Sequence, residues 1–198
     1  LSNGNSYYGS VTPIINDCTL LFDNEEYISG TTITAVGNHV ITVVGTNGYI
    51  KDGISIIDVG TGAGFPGMPL RICLNNIKLT LLDSLNKRIN FLQEVSNNLG
   101  IDDIKFIHGR AEDFGKDSEY REQYDVATAR AVAGLPVLME FCVPFIKVGG
   151  HFVCLKGPNA NLELEESKGA MEALGIEFIE KIDIELPDSD LKHNILVF

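Results

Sequence analysis

The spacing of apolar positions changes near residue 50. Upstream, β-branched residues run in short alternating stretches, Thr31 to Val36 and His39 to Val44, and the Gly37-Asn38 pair between them predicts a hairpin with a tight turn. From Gly53 onward, short apolar runs alternate with longer segments whose apolar positions recur three or four apart. The runs Ile54 to Val59, Lys78 to Asp83, Ile104 to His108, Tyr124 to Ala129 and His151 to Leu155 predict strands. Met68 to Asn75, Asn86 to Leu99, Pro136 to Lys147 and Asn161 to Leu174 predict helices, with Gly100 and Gly175 as stops. In the Asn86 helix, Ile89, Leu92, Gln93 and Ser96 show one face alternating with the other. Ile176 to Leu186 and Asn194 to Phe198 complete the pattern as antiparallel neighbours at one sheet edge.

Strands interleaved with helices imply parallel pairing through right-handed crossovers, hence an α/β fold with a mostly parallel, doubly wound, Rossmann-like sheet over residues 51–198. Residues 1–50 form a small β-rich N-terminal extension. The phrase Ser29-Gly30-Thr31-Thr32-Ile33-Thr34, with the Val40 to Val44 strand, resembles part of an immunoglobulin-like repeat of bacterial surface proteins. A full sandwich needs about seven strands in about 100 residues, so the segment supplies part of one at most.

Composition narrows the function. The 198 residues are 44% hydrophobic, enough to bury one domain with a small appendage. The sequence carries no apolar stretch of bilayer-spanning length and no basic, then apolar, opening, which disfavours a membrane protein or secretory precursor. Residue 1 is Leu rather than Met, as in a piece of a longer chain. Cys18, Cys73, Cys142 and Cys154 form no C-x-x-C pair, so a reduced cytoplasm fits and each thiol is expected to pack as a small hydrophobe. The net charge of -12 argues against nucleic acid until its distribution is read. Residues 1–50 carry four acids and no base, residues 51–156 carry 13 acids against 12 bases, and residues 157–198 carry ten against three. The middle is nearly neutral, and the acidity sits at the ends.

The run Asp58-Val59-Gly60-Thr61-Gly62-Ala63-Gly64-Phe65-Pro66-Gly67 sits at the mouth of the first parallel strand, where doubly wound sheets bind ligands. Its glycines let the chain turn sharply, and the following helix points amides at the same spot. Two cofactors use such loops. Gly62 to Gly67 fits the dinucleotide pattern G-x-G-x-x-G, but an acid and an extra glycine precede it, and Pro66 removes an amide that a pyrophosphate would use. The register D-x-G-x-G-x-G from Asp58 suits S-adenosylmethionine, whose ammonium and sulfonium favour a nearby carboxylate. Asp83, 19 residues after Gly64 at the end of the second strand, is placed to accept hydrogen bonds from ribose hydroxyls. His108 to Asp113 follow the third strand where an adenine would bind, and Arg130 and Lys156 follow the next two strands as a basic rim.

Together with Leu81-Leu82-Asp83-Ser84-Leu85-Asn86-Lys87-Arg88, His108-Gly109-Arg110-Ala111-Glu112-Asp113, Ala129-Arg130-Ala131 and Leu155-Lys156-Gly157, that loop resembles the RsmG (GidB) family of bacterial methyltransferases over residues 54 to 198. The resemblance implies a class I S-adenosylmethionine-dependent methyltransferase fold acting on guanine N7 of small-subunit ribosomal RNA, with no metal. It carries cofactor contacts onto Gly60, Phe65, Ala111, Glu112 and Arg130, beside Asp58, Gly62, Gly64 and Asp83 from the loop chemistry. Arg130 and Lys156 are then the residues expected to steer guanine O6 or a flanking phosphate. Lys87 and Arg88 are expected along a helix, supporting RNA approach or a solvated face. The acidic surface and the β-rich start keep two alternatives open: a cofactor-binding remnant without activity, and a small-molecule methyltransferase.

Overall fold

A computed structural model of the chain describes residues 18–22, 25–26, 41–45, 53–74, 76–130, 133–185 and 192–198. Two compact units divide it, Leu1–Lys51 and Asp52–Phe198. In the first, β1 (Cys18–Phe22) lies between β2 (Glu25–Glu26) and β3 (Ile41–Gly45), antiparallel to both, with Phe22 opposite Ile41. The strand β3 overlaps the second arm of the hairpin read from the sequence over Ile41 to Val44 and runs one residue past it. That hairpin's first arm and its turn lie outside the described residues.

The second unit holds β4 (Ser55–Val59), β5 (Lys78–Asp83), β6 (Ile104–His108), β7 (Tyr124–Arg130), β8 (Ile146–Lys156), β9 (Glu180–Glu185) and β10 (Lys192–Val197) in one sheet of order β6-β5-β4-β7-β8-β10-β9. The pairs from β6 to β8 are parallel, whereas β10 is antiparallel to both β8 and β9. Strand order reverses between β4 and β7, so the crevice outside their carboxyl ends is where this architecture takes ligands. Helices α1 (Gly67–Cys73), α2 (Asn86–Leu99), α3 (Ala111–Phe114), α4 (Leu135–Cys142), α5 (Ala160–Glu166) and α6 (Lys168–Leu174) make the connections.

The two faces of β4 feed two cores, as the two-residue period of a strand requires. Ile57 and Val59 join Leu138, Met139, Phe145 and Phe152 on one face, while Ile56 joins Met68, Leu79, Leu81 and Leu92 on the other. Helix α2 buries Ile89, Leu92 and Ser96 and ends where Gly100 turns left-handed at φ 66°.

Three expectations are corrected. The helix expected over 136–147 stops at Cys142, because Pro144 has no amide to continue it; a 3-10 turn follows over Val143–Phe145, and Ile146 already pairs with Tyr124 in the sheet. The helix expected over 161–174 breaks at buried Ser167, whose hydroxyl donates back to the Glu163 carbonyl at 2.6 Å. Cys73 is exposed, while burial pushes the Cys142 thiol well above its ordinary value and the Cys154 thiol up to about 12. Both buried thiols are thereby inert packing groups.

Candidate active site

The segment from Val59 to Gly67 is folded by hydrogen bonds that start on neighbouring strands. Gly60 and Thr61 donate their amides to the Leu82 carbonyl at 2.8 and 3.1 Å, drawing the loop across the end of β5. Gly64 and Phe65 then donate to the Thr61 carbonyl at 2.9 and 3.2 Å, which closes the turn. Gly62, at φ 62°, aims its amide at the Asp83 carboxylate 2.9 Å away. At Gly67 the demand is space: a Cβ there would sit 2.6 Å from Leu81 Cδ2 and 2.8 Å from Asp58 Oδ2.

Two carboxylates brace this loop from opposite sides. Asp58 is fully buried, and its Oδ2 accepts the Thr61 hydroxyl at 2.6 Å and the Gly67 amide at 3.0 Å. Its Oδ1 has no hydrogen-bond partner among the described residues. Asp83, 2% exposed, accepts Gly62 and Arg88 Nη1 (3.2 Å) on Oδ2 and the Leu85 amide (2.9 Å) on Oδ1. Between the loop and the strand ends lies a cavity of about 340 Å³, lined among others by Gly60, Gly62, Phe65, Asp83, Arg88 and Arg130. Arg130 ends β7 with its guanidinium carbon 4.8 Å from the Phe65 ring centre, a cation–π contact. Ring and guanidinium together wall the β7 side.

Burial pushes the Asp58 carboxyl up to about 6 from an ordinary 3.8, against the hydrogen bonds of Thr61 and Gly67 and the charge of Arg130, which pull it down. The folded group therefore holds its proton to higher pH than the unfolded one, so its contribution to stability grows as pH falls through 6 toward 4. Between pH 7 and pH 5 the gain is about 1 kcal/mol. Urea unfolding at the two pH values checks this: Asp58→Asn is expected to lose that increment, and an equal gain in both proteins would assign it to another group.

The structure brings five of the residues read from the sequence to the cavity wall, Gly60, Gly62, Phe65, Asp83 and Arg130. Asp58 is turned inward and supports the loop instead of facing a ligand. Gly64 backs the loop, its α-carbon packed so closely that an added Cβ would lie 2.6 Å from Met68 Cγ and 2.8 Å from Leu92 Cδ2. Ala111 and Glu112 start α3, in the segment tied to β5 by the Gly109 amide on the Asp83 carbonyl at 3.0 Å, but they do not line this cavity. Lys156 does not face it either: at 7% exposure, its ammonium donates to Glu163 Oε2 at 2.7 Å and to the Ala133 carbonyl at 2.8 Å. That engagement points the Lys156 ammonium at Glu163 and the Ala133 carbonyl, where the sequence led us to expect it toward substrate. Arg88, read as part of a helix face toward RNA or solvent, proves to be a wall residue paired with Asp83.

A larger cavity of about 520 Å³ lies near Pro144, Gly150, Leu174 and Phe198. It sits at the far end of β8 from Lys156, away from the reversal in strand order and from every site residue read from the sequence. Among the described residues, no group of three or more His, Cys, Asp or Glu could hold a metal ion, and no helix is long and apolar enough to cross a membrane.

Comparison with known proteins agrees with this geometry. The family model for rRNA small subunit methyltransferase G matches residues 26–185, reaching back into the β-rich first unit. The ribosomal RNA small subunit methyltransferase G of Alkaliphilus metalliredigens is 55% identical over 149 residues, covering 75% of this chain and 62% of that protein. Its counterpart from Acetivibrio thermocellus is 47% identical over 180 residues, covering 90% and 71%. The chain thus spans about three-fifths of the length of the first of these relatives. A solved geranyl diphosphate methyltransferase, in complex with GPP and sinefungin, superposes with a TM-score of 0.58 at 14% identity over 76% of this chain and 73% of its own. At that identity the likeness speaks for the fold alone, which is that of the class I methyltransferases.

Proposed function

The chain belongs to the rRNA small subunit methyltransferase G family, and on that premise we propose that it methylates guanine N7 of small-subunit ribosomal RNA in the cytoplasm, using S-adenosylmethionine. The observation that carries the reading is the convergence of the glycine loop, Asp83 and Arg130 on one cavity at the reversal in strand order. Residues 51–198 act as the cofactor-binding and transfer domain.

The wall fits the cofactor. Backbone without side chains at Gly60 and Gly62 admits the amino-acid end, the Asp83 carboxylate offers acceptors to a ribose, and Ala111 and Glu112 stand on the adenine side beyond β6. When bound, S-adenosylmethionine supplies a methyl group on a sulfonium centre. Guanine N7 carries an in-plane lone pair at neutral pH, so its attack needs no protein base, and the work left to the chain is alignment. Holding reactants in line contributes up to about 7 to 11 kcal/mol in favourable models. Arg130, exposed on the β7 side, is the group we assign to guanine O6 or a flanking phosphate; spanning both O6 and N7 would block the nucleophile. The base has to leave its stack to reach a cavity walled by Phe65 and Arg130.

Titration calorimetry with S-adenosylmethionine, followed by methyl transfer to small subunits isolated from cells lacking this modification, tests the proposal. Saturable binding and methylation at guanine N7 are expected. Failure to bind at millimolar cofactor would overturn the pocket, and binding without transfer would favour the inactive remnant.

A further inference from the structure

We propose that Arg88 is a latch: it takes an acceptor position on Asp83 that the ribose of the cofactor needs, and the ribose displaces it to the rim, where it meets an RNA phosphate. The inference rests on the function proposed above. Its ground is the acceptor capacity of one carboxylate. An ionised carboxylate offers about four acceptor positions, two on each oxygen. In Asp83, Oδ2 already accepts Gly62 at 2.9 Å and Arg88 at 3.2 Å, and Oδ1 accepts Leu85 at 2.9 Å. A single position is left, on Oδ1, while a ribose presents two hydroxyls. The Gly62 and Leu85 amides belong to the backbone that shapes the loop and the entry to α2. Arg88 is the one of the three donors on a side chain free to rotate, and that side chain is 48% exposed.

Placement completes the case. Arg88 lies in the first turn of α2 beside exposed Lys87, and it lines the same cavity as Arg130. A guanidinium that leaves a buried carboxylate there stays at the mouth, as a planar donor suited to phosphate. The protein as a whole is acidic, so one more unpaired cation at the mouth changes the local field where RNA has to approach. Cofactor and RNA would therefore bind with positive coupling, each raising affinity for the other by the same factor.

The test uses S-adenosylhomocysteine, which permits no turnover and carries no net charge, so any gain in positive charge must come from the protein. RNA affinity for purified small-subunit ribosomal RNA is measured against salt with and without it, in the full chain and in Arg88→Met, which keeps the apolar stem, and in Arg88→Lys, which keeps the charge. In the unmodified protein the slope of log affinity against log salt is expected to steepen by about 0.7 to 0.9 when S-adenosylhomocysteine binds, the signature of one added phosphate contact. In Arg88→Met the two slopes coincide and cofactor affinity by calorimetry rises, because the competitor for Asp83 is gone; Arg88→Lys retains the difference in slope. Equal slopes in the unmodified protein, or a tenfold loss of cofactor affinity in Arg88→Met, would overturn the latch and leave the methyltransferase reading standing. Absence of any S-adenosylhomocysteine binding to the unmodified protein would instead remove that reading, and the latch with it.

Discussion

Asp83→Ala is expected to raise the dissociation constant for S-adenosylhomocysteine at least a hundredfold in titration calorimetry. The change removes the acceptor proposed for the ribose, and it also removes the partner of the Gly62 amide, which lines the cavity, and of the Leu85 amide at the entry to α2. A buried donor left without a partner costs about 1 to 3 kcal/mol, and a hundredfold in affinity is about 2.7 kcal/mol, so loss of the loop tie alone approaches the effect before the ribose contact is counted. Asp83→Asn separates the two contributions: it keeps one carbonyl oxygen for the backbone but turns the other position into a donor. An intermediate loss is expected there, with the urea midpoint nearer that of the unmodified protein. A change of less than tenfold in Asp83→Ala would mean that the ribose is held elsewhere and that Asp83 serves the loop alone.

The acids Asp58 and Asp83 show what the sequence could and could not disclose. Asp83 ends a buried parallel strand and Asp58 is the last residue but one of its neighbour, so their proximity to a ligand followed from the alternation of strands and helices. Their directions did not. Asp58 turns inward because α1 begins at Gly67, where the missing side chain leaves room for the carboxylate to reach the helix's own amide. That contact depends on how α1 packs on β4 and β5, which no local pattern encodes. Arg88 escaped for a related reason: its distance of five residues from Asp83 spans a strand end and a helix start, and only the angle between the two turns the guanidinium back. The strand residue Ile146 was similarly settled by a contact across the sheet, its pairing with Tyr124. The faces of α2, by contrast, were legible, because a three-to-four spacing fixes burial without knowledge of the partner.

The inward orientation of Lys156 was available from the sequence. Phe152 and Cys154 are buried, and two residues further on the same phase of the strand carries Lys156 to the same inner face. A lysine there requires a partner, and the structure supplies Glu163 from α5. The pair is asymmetric, which makes its energetics predictable. Glu163→Leu strands a buried ammonium with one carbonyl and takes the acceptor from the Leu135 amide, so about 3 to 5 kcal/mol of stability should be lost. Lys156→Met leaves a carboxylate that is one-quarter exposed and still bonded to Leu135, and its cost should be about 1 to 2 kcal/mol. The double substitution should be more stable than Glu163→Leu alone, because the stranded charge has gone. Urea unfolding of the three variants decides the matter, and equal small losses in both single variants would show that the pair contributes little. Since Ala133 lies three residues beyond Arg130 at the end of β7, freeing its carbonyl in Lys156→Met should also lower methyl transfer while leaving cofactor affinity unchanged, the pattern of a positioning residue rather than of one that meets the base.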